Sequence, residues 1–250
     1  MTKVCISGII SLQFEKIIFI LRAMYAQTSR KGMISLGKTL YSLMLNEDVV
    51  REIDILAHKS GTSRSNLINQ ILAEYVNYTT PERRISDVLS AIEQLMLPSR
   101  EIVPFFAPNA QSMSLKSSLE YKYRPTVKYE VELYRGTEDA IGRLSVLFRT
   151  QSQALIHAMT SFFRLWKQIE DAHLTPASRS GIDYALYDGK FVRSISVPDR
   201  DCDTTELAQA ISDYIKLFDK QMKDYLCGKA DARSVEMAYY DYLNTADIRI

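Results

Sequence analysis

Between Lys38 and Val76 the chain sets one short run of period two directly against two short helical patterns, an arrangement too small to bury itself. Tyr41, Leu43 and Leu45 alternate with Leu40, Ser42 and Met44, which predicts a strand. Asn46 follows as a helix N-cap, with Glu47 and Asp48 placed to complement the helix dipole. Val49, Val50, Ile53, Leu56 and Ala57 recur at helical spacing, Lys59 falls in the last turn and Gly61 just after it. Ser63 predicts the cap of a second helix, striped by Leu67, Ile68, Ile71, Leu72 and Tyr75. At roughly 25 cal/mol per Å² of buried apolar surface, a fold of about 40 residues stays marginal unless it pairs with something. Two copies that pair their strands antiparallel and interleave their helices solve that problem.

This order, strand–helix–Gly turn–helix, with GTSRSNLINQILAEYV as its most specific stretch, resembles the ribbon-helix-helix family of bacterial DNA-binding proteins, of the Arc, MetJ and CopG type. The resemblance covers about Thr39 to Val76 and nothing further along the chain. It implies a homodimer whose paired strands enter the major groove of double-stranded DNA. The implied base-facing residues are Leu40, Ser42 and Met44. The implied dimer core is Tyr41, Leu43 and Leu45 with Ile53, Leu67 and Ile71 from the helices. The family clamps DNA phosphates with the N-terminus of its second helix, which here means Ser63, Arg64 and Ser65, with Lys38 added from the strand. Free N–H groups and the positive dipole end attract an anion there.

The sequence departs from the family on the base-facing strand. Base edges demand hydrogen-bonding partners, and of these three residues only Ser42 offers one. Over residues 38–80 the cations Lys38, Arg51, Lys59 and Arg64 stand against Glu47, Asp48, Glu52, Asp54 and Glu74, a net charge of −1. The resemblance implies a transcriptional regulator, with repression as the usual mode. The alternative keeps the module as a dimerisation or DNA-anchoring device in replicon maintenance or a multiprotein assembly, without promoter-specific binding.

Residues 1–32 leave three readings open. Lys3, the apolar stretch Val4–Phe14 and the small residues Ala23 and Ala26 loosely imitate a secretory signal. The same stretch also suits an amphipathic helix, or an upstream reading frame with translation beginning at Met33. Three isolated cysteines among 250 residues (Cys5, Cys202, Cys227) build no disulfide framework, which points to a reducing cytoplasm. No apolar run reaches the ~18 residues of a membrane span, so stable membrane insertion is not expected. The formal net charge of +1 excludes a globally basic nucleic-acid binder while leaving local patches open.

The remainder predicts an α+β chain, with domains at 1–37 (N-terminal extension), 38–78 (ribbon-helix-helix module), 79–114 (helical and irregular linker) and 115–250. A helix is expected from Pro81 to about Leu95, then irregular structure over 98–115, where Pro98, Pro104 and Pro108 cluster. Residues 115–250 read as a small antiparallel sheet packed with helices, four short strands and three helices in all. A half-buried strand over Leu119–Leu133 is bent or broken at Pro125. A strand over Gly142–Arg149 and a helix over Ser152–Ala172 follow. Asp188-Gly189 signals a hairpin between Tyr184–Tyr187 and Phe191–Val197. Asp203 and Glu206 open a helix to Leu226 as a capping box, and a last helix spans Ala232–Leu243. The period-two tyrosines invite a base-stacking platform, but a buried row under the Trp166 helix is the stronger expectation.

No catalytic, metal or cofactor motif stands out, and no enzyme is expected. His58, His157 and His173 lie far apart, and no CxxC, HExxH or glycine-rich phosphate loop occurs. Asp199, Asp201 and Asp203 lack the Gly and distant Glu of a calcium loop, and their acids should raise the Cys202 thiol pKa. The C-terminal domain is expected to take a protein or small-molecule partner.

Overall fold

The computed structural model describes residues 40–106, 111–120, 124–136, 140–174, 181–187, 189–198 and 200–250. Residues 46–250 form one compact unit, and residues 40–45 belong to a separate one. Lys38, Tyr121, Tyr123 and the N-terminal readings at 1–32 lie outside the described residues.

Two short helices come first, α1 (Glu47–Lys59) and α2 (Arg64–Tyr75). Helix α3 (Pro81–Met96) follows, started by the Thr80 hydroxyl, which accepts from the Arg83 N–H, with Pro81 in the first turn. Then come strands β1 (Ile102–Phe106), β2 (Ser112–Ser118), β3 (Thr126–Leu133) and β4 (Ala140–Phe148). Helix α4 (Gln153–His173), the hairpin β5 (Tyr184–Tyr187) and β6 (Lys190–Ser196), and helices α5 (Thr204–Leu226) and α6 (Ala232–Thr245) complete the order. All six strands join one antiparallel sheet in the order β1-β2-β3-β4-β6-β5.

The α+β class with helices on an antiparallel sheet agrees with expectation, but the sheet is larger than expected and begins earlier. Residues 98–115 were expected to be irregular, yet they supply β1 and the first half of β2. Pro104 is accommodated because β1 is an edge strand, with a register shift between Pro104 and Phe106. The segment 79–114 is more than a linker, since Ile85, Val88, Leu89, Ile92 and Met96 of α3 enter the same core as the sheet. The expected Leu119–Leu133 strand starts only at Thr126. Leu119 instead donates its N–H to the Pro125 carbonyl (3.0 Å), and Arg124 adopts a positive φ of 41°, so β2 and β3 form a hairpin around that turn.

Strand β3 shows the burial logic most plainly. Val127, Tyr129, Val131 and Leu133 are buried, while Lys128, Glu130 and Glu132 face away. The same face of the sheet meets α4 and α5 through aromatic contacts, Phe163 stacking on Phe191 of β6 (5.1 Å between centroids) and Tyr129 of β3 meeting Phe218 edge-on (6.2 Å). Tyr129 donates its phenol to Asp219 of α5 (2.8 Å). The tyrosine of β3 is therefore a core residue, and the base-stacking platform drawn from it is ruled out at that position.

Within the core lies an ion pair, Arg193 Nε to Glu170 at 3.0 Å, with both side chains wholly buried. Tyr184 (2.8 Å), Tyr214 (2.9 Å) and Tyr239 (3.1 Å) each donate a phenol to the Glu170 carboxylate. Arg193 also donates to the backbone carbonyls of Ser194 and Ile250 and lies over the Tyr214 ring (4.4 Å to its centroid). The network ties β5, β6, α4, α5 and α6 together.

Gly142, paired with Leu133 across β3–β4, has no room for a side chain. A Cβ there would stand 2.3 Å from the Glu132 carbonyl oxygen and 2.9 Å from the Leu133 side chain. Gly142→Ala is expected to destabilise the fold by about 1–3 kcal/mol, read from the midpoint of urea unfolding at constant slope.

Candidate nucleic-acid interface

The helical hairpin of residues 46–78 is closed by local chemistry at each end. The Asn46 side chain accepts from the Asp48 N–H (2.9 Å), and Arg51 pairs with Asp48 one turn on (2.9 Å). Helix α1 ends in a Schellman motif: Thr62 N–H donates to the Ala57 carbonyl (2.9 Å) and Gly61 N–H to that of His58 (3.2 Å). This geometry places Gly61 at φ +61°, which is why glycine stands there. Helix α2 ends in the same way, with Tyr78 bonded to Ala73 (2.8 Å), Asn77 to Glu74 (3.2 Å), and Asn77 at φ 54°. Ser63 caps α2 as expected, its hydroxyl accepting from the Asn66 N–H (3.3 Å).

The helices are well formed, yet they bury little. Ala57 and Ala73 are their only buried residues. Ile53 and Leu67 are half-buried, while Ile71 is exposed, as are Tyr41, Leu43 and Leu45. Leu40 and Met44 are fully exposed, and Ser42 and Ser65 are exposed too. Residues 40–45 adopt no strand in the single chain, because a lone extended segment has no ladder partner. Burial therefore does not separate the base-facing set from the dimer-core set. Among the described residues, thirteen of the twenty-one exposed large apolar side chains fall within residues 40–78.

Arg64 is not an isolated cation. Its guanidinium forks onto Asp54 of α1, Nε to Oδ1 and Nη2 to Oδ2 at 2.5 Å each. The hydrogen bond from Arg64 holds the Asp54 carboxyl below its ordinary pKa, and Asp54 raises that of Arg64. Both side chains remain about half exposed, where such a pair contributes little and exchanges readily with another anion. Asp54 is thus the site's counter-ion, which the sequence showed only as one acid among five. Of the expected phosphate-binding set, the structure brings Ser63, Arg64 and Ser65 together at the start of α2.

A second surface lies on the side of the sheet that the described helices leave open. Ser112, Ser114, Glu130, Glu132, Arg143, Ser145 and Lys190 line a shallow polar depression of about 150 Å³. Two of its acids are paired, Glu130 with Lys128 (2.5 Å) and Glu132 with Arg143 (2.6 Å). Sequence reasoning missed this face because its residues come from four strands, one of which began in the segment expected to be irregular.

Elsewhere the described residues offer little chemistry. No group of three or more metal-ligating side chains occurs among them, and no helix of theirs is long and apolar enough to cross a membrane. The Cys202 thiol pKa is raised, as expected, though burial contributes more than its acidic neighbours. Asp203 serves as the cap of α5 in a capping box with Glu206. Comparison of the chain with known proteins finds no matching family model, no matching curated protein and no matching solved structure.

Proposed function

We propose that this chain is a homodimeric DNA-binding regulator of transcription, acting in the cytoplasm as a repressor through a ribbon-helix-helix module at residues 38–78. The observation that carries this reading is the bare apolar surface of that segment: a helical hairpin capped at both ends that leaves most of its large apolar side chains in water. A surface so concentrated calls for a partner, and a second copy supplies both the missing strand for residues 40–45 and a cover for the helix stripes. Leu40, Ser42 and Met44 then face base edges, while the start of α2 holds phosphate. The sheet domain is left to take a partner of its own.

The test is fluorescence anisotropy with the protein's own upstream duplex and a scrambled duplex, at two salt concentrations. A regulator prefers its own site by about 10³-fold or more. Arg64→Glu is expected to weaken duplex binding about tenfold to a hundredfold, the worth of one charged hydrogen bond, while sedimentation still shows a dimer. Unchanged binding overturns the phosphate-clamp assignment.

The Arg64–Asp54 fork and the apolar character of Leu40 and Met44 favour a second reading, in which the module only dimerises or anchors the protein in a larger assembly. An intact dimer that binds neither duplex selects it.

A further inference from the structure

The register of the sheet aligns one lateral row on the face that the described helices leave open: Val103, Lys116, Lys128, Leu147, Lys190 and Tyr187, one residue from each strand. Five interstrand gaps of about 4.8 Å make that row roughly 24 Å long. An exposed aromatic ring stands at each end. Tyr187 is 62% exposed, and Phe105, two residues beyond Val103, is 43% exposed with the Lys116 ammonium 3.8 Å from its ring centroid. Lys128 has Glu130 beside it, whereas Lys116 and Lys190 have no carboxylate partner among the described residues. Counting Arg143, the strands present four cations against two carboxylates on this face.

We infer that this face binds single-stranded RNA. Rings at the ends of a row of cations suit a strand whose bases stack while its phosphates meet ammonium groups. Charge complementarity selects a polyanion, and the exposed rings select one with unpaired planar bases. The acids of the polar depression favour ribose: the Glu130 and Glu132 carboxylates can accept from 2′-hydroxyls, a donor that deoxyribose lacks. The site is built from the sheet alone and is independent of residues 38–78.

The probe is a labelled oligouridylate of about twelve nucleotides, within the footprint of such platforms, against its deoxy counterpart and a DNA duplex. Anisotropy of the full chain is expected to show the ribo-oligonucleotide bound several-fold tighter than the deoxy form. Tyr187→Ala is expected to weaken it about tenfold, the worth of one stacked base. Lys190→Glu should do likewise and make the loss of affinity with salt shallower, since one fewer phosphate is neutralised. Neither variant should change duplex binding, and Arg64→Glu should leave RNA binding intact, so this inference and the duplex reading fail separately. Equal affinity for the deoxy strand, no binding to either strand, or RNA binding that responds to Arg64→Glu but not to the sheet variants overturns it. These side chains are surface groups, and unchanged circular dichroism melting confirms that each variant is folded.

Discussion

Arg193→Met is expected to cost about 3–5 kcal/mol of folding stability, the usual consequence of stranding one half of a buried ion pair. Glu170 and Arg193 are both wholly buried, and Arg193 is the cationic partner of that carboxylate. Three phenols would still donate to Glu170 after the substitution, but they carry no charge to offset its own. The double variant Arg193→Met, Glu170→Gln should recover much of the loss, because removing both charges also removes the burden of desolvating them. Urea unfolding of the two variants and the parent measures this directly. A loss below about 1 kcal/mol in the single variant, the scale of one ordinary hydrogen bond, would mean that the phenols alone satisfy the carboxylate.

Alkaline unfolding should be steep for the same reason that the core is so rich in phenols. Burial, chiefly, pushes Tyr129, Tyr214 and Tyr239 well above the ordinary tyrosine value, and the acids Asp219 and Glu170 push in the same direction. Tyr242 is pushed up to about 12, again mainly by burial. A group whose folded pKa is raised contributes stability that is intact below its unfolded pKa. That stability is lost as pH climbs from there toward the folded value. The window therefore opens near pH 10, with a loss of about 1.4 kcal/mol per pH unit for each phenol. The three deepest phenols together give about 4 kcal/mol per unit. Unfolding free energies measured on either side of pH 10 should show that slope, and phenolate absorbance should rise together with loss of structure. Phenolate formation by these buried rings themselves, in a chain that stays folded, would show that water reaches them.

What the sequence disclosed depended on whether the signal was local. Asn46, Ser63 and Asp203 are caps because a short polar side chain must reach an N–H two or three residues on, and each does so. The turn glycine before Lys190 was legible for the same reason, with Gly189 at φ +71°. Strands β1 and β2 were hidden because Pro104 and a serine-rich run lack apolar alternation, although β2 packs Met113 and Leu115 into the core. The buried ion pair was half legible. Arg193 shares the inward parity of Phe191 and Ile195, but its partner lies 23 residues upstream on a helix, a distance no local pattern encodes. In the candidate DNA interface, residue types and the start of α2 were readable, whereas the Asp54 counter-ion depends on how two helices cross the Gly61 turn.

Tyr129 must wait for Asp219, which lies 90 residues further along the chain. At ordinary synthesis rates that interval is roughly 5–20 s. The hairpins β2–β3 and β3–β4 are local and can form as soon as they leave the ribosome, while α5, which supplies Asp219 and Phe218 to their apolar face, is still unmade. The nascent sheet thus spends seconds with the part of its apolar face that α5 will cover still open. A ribosome pause or truncation ahead of α5 prolongs that exposure, and apolar surface held open in this way is what makes a folding intermediate prone to aggregate.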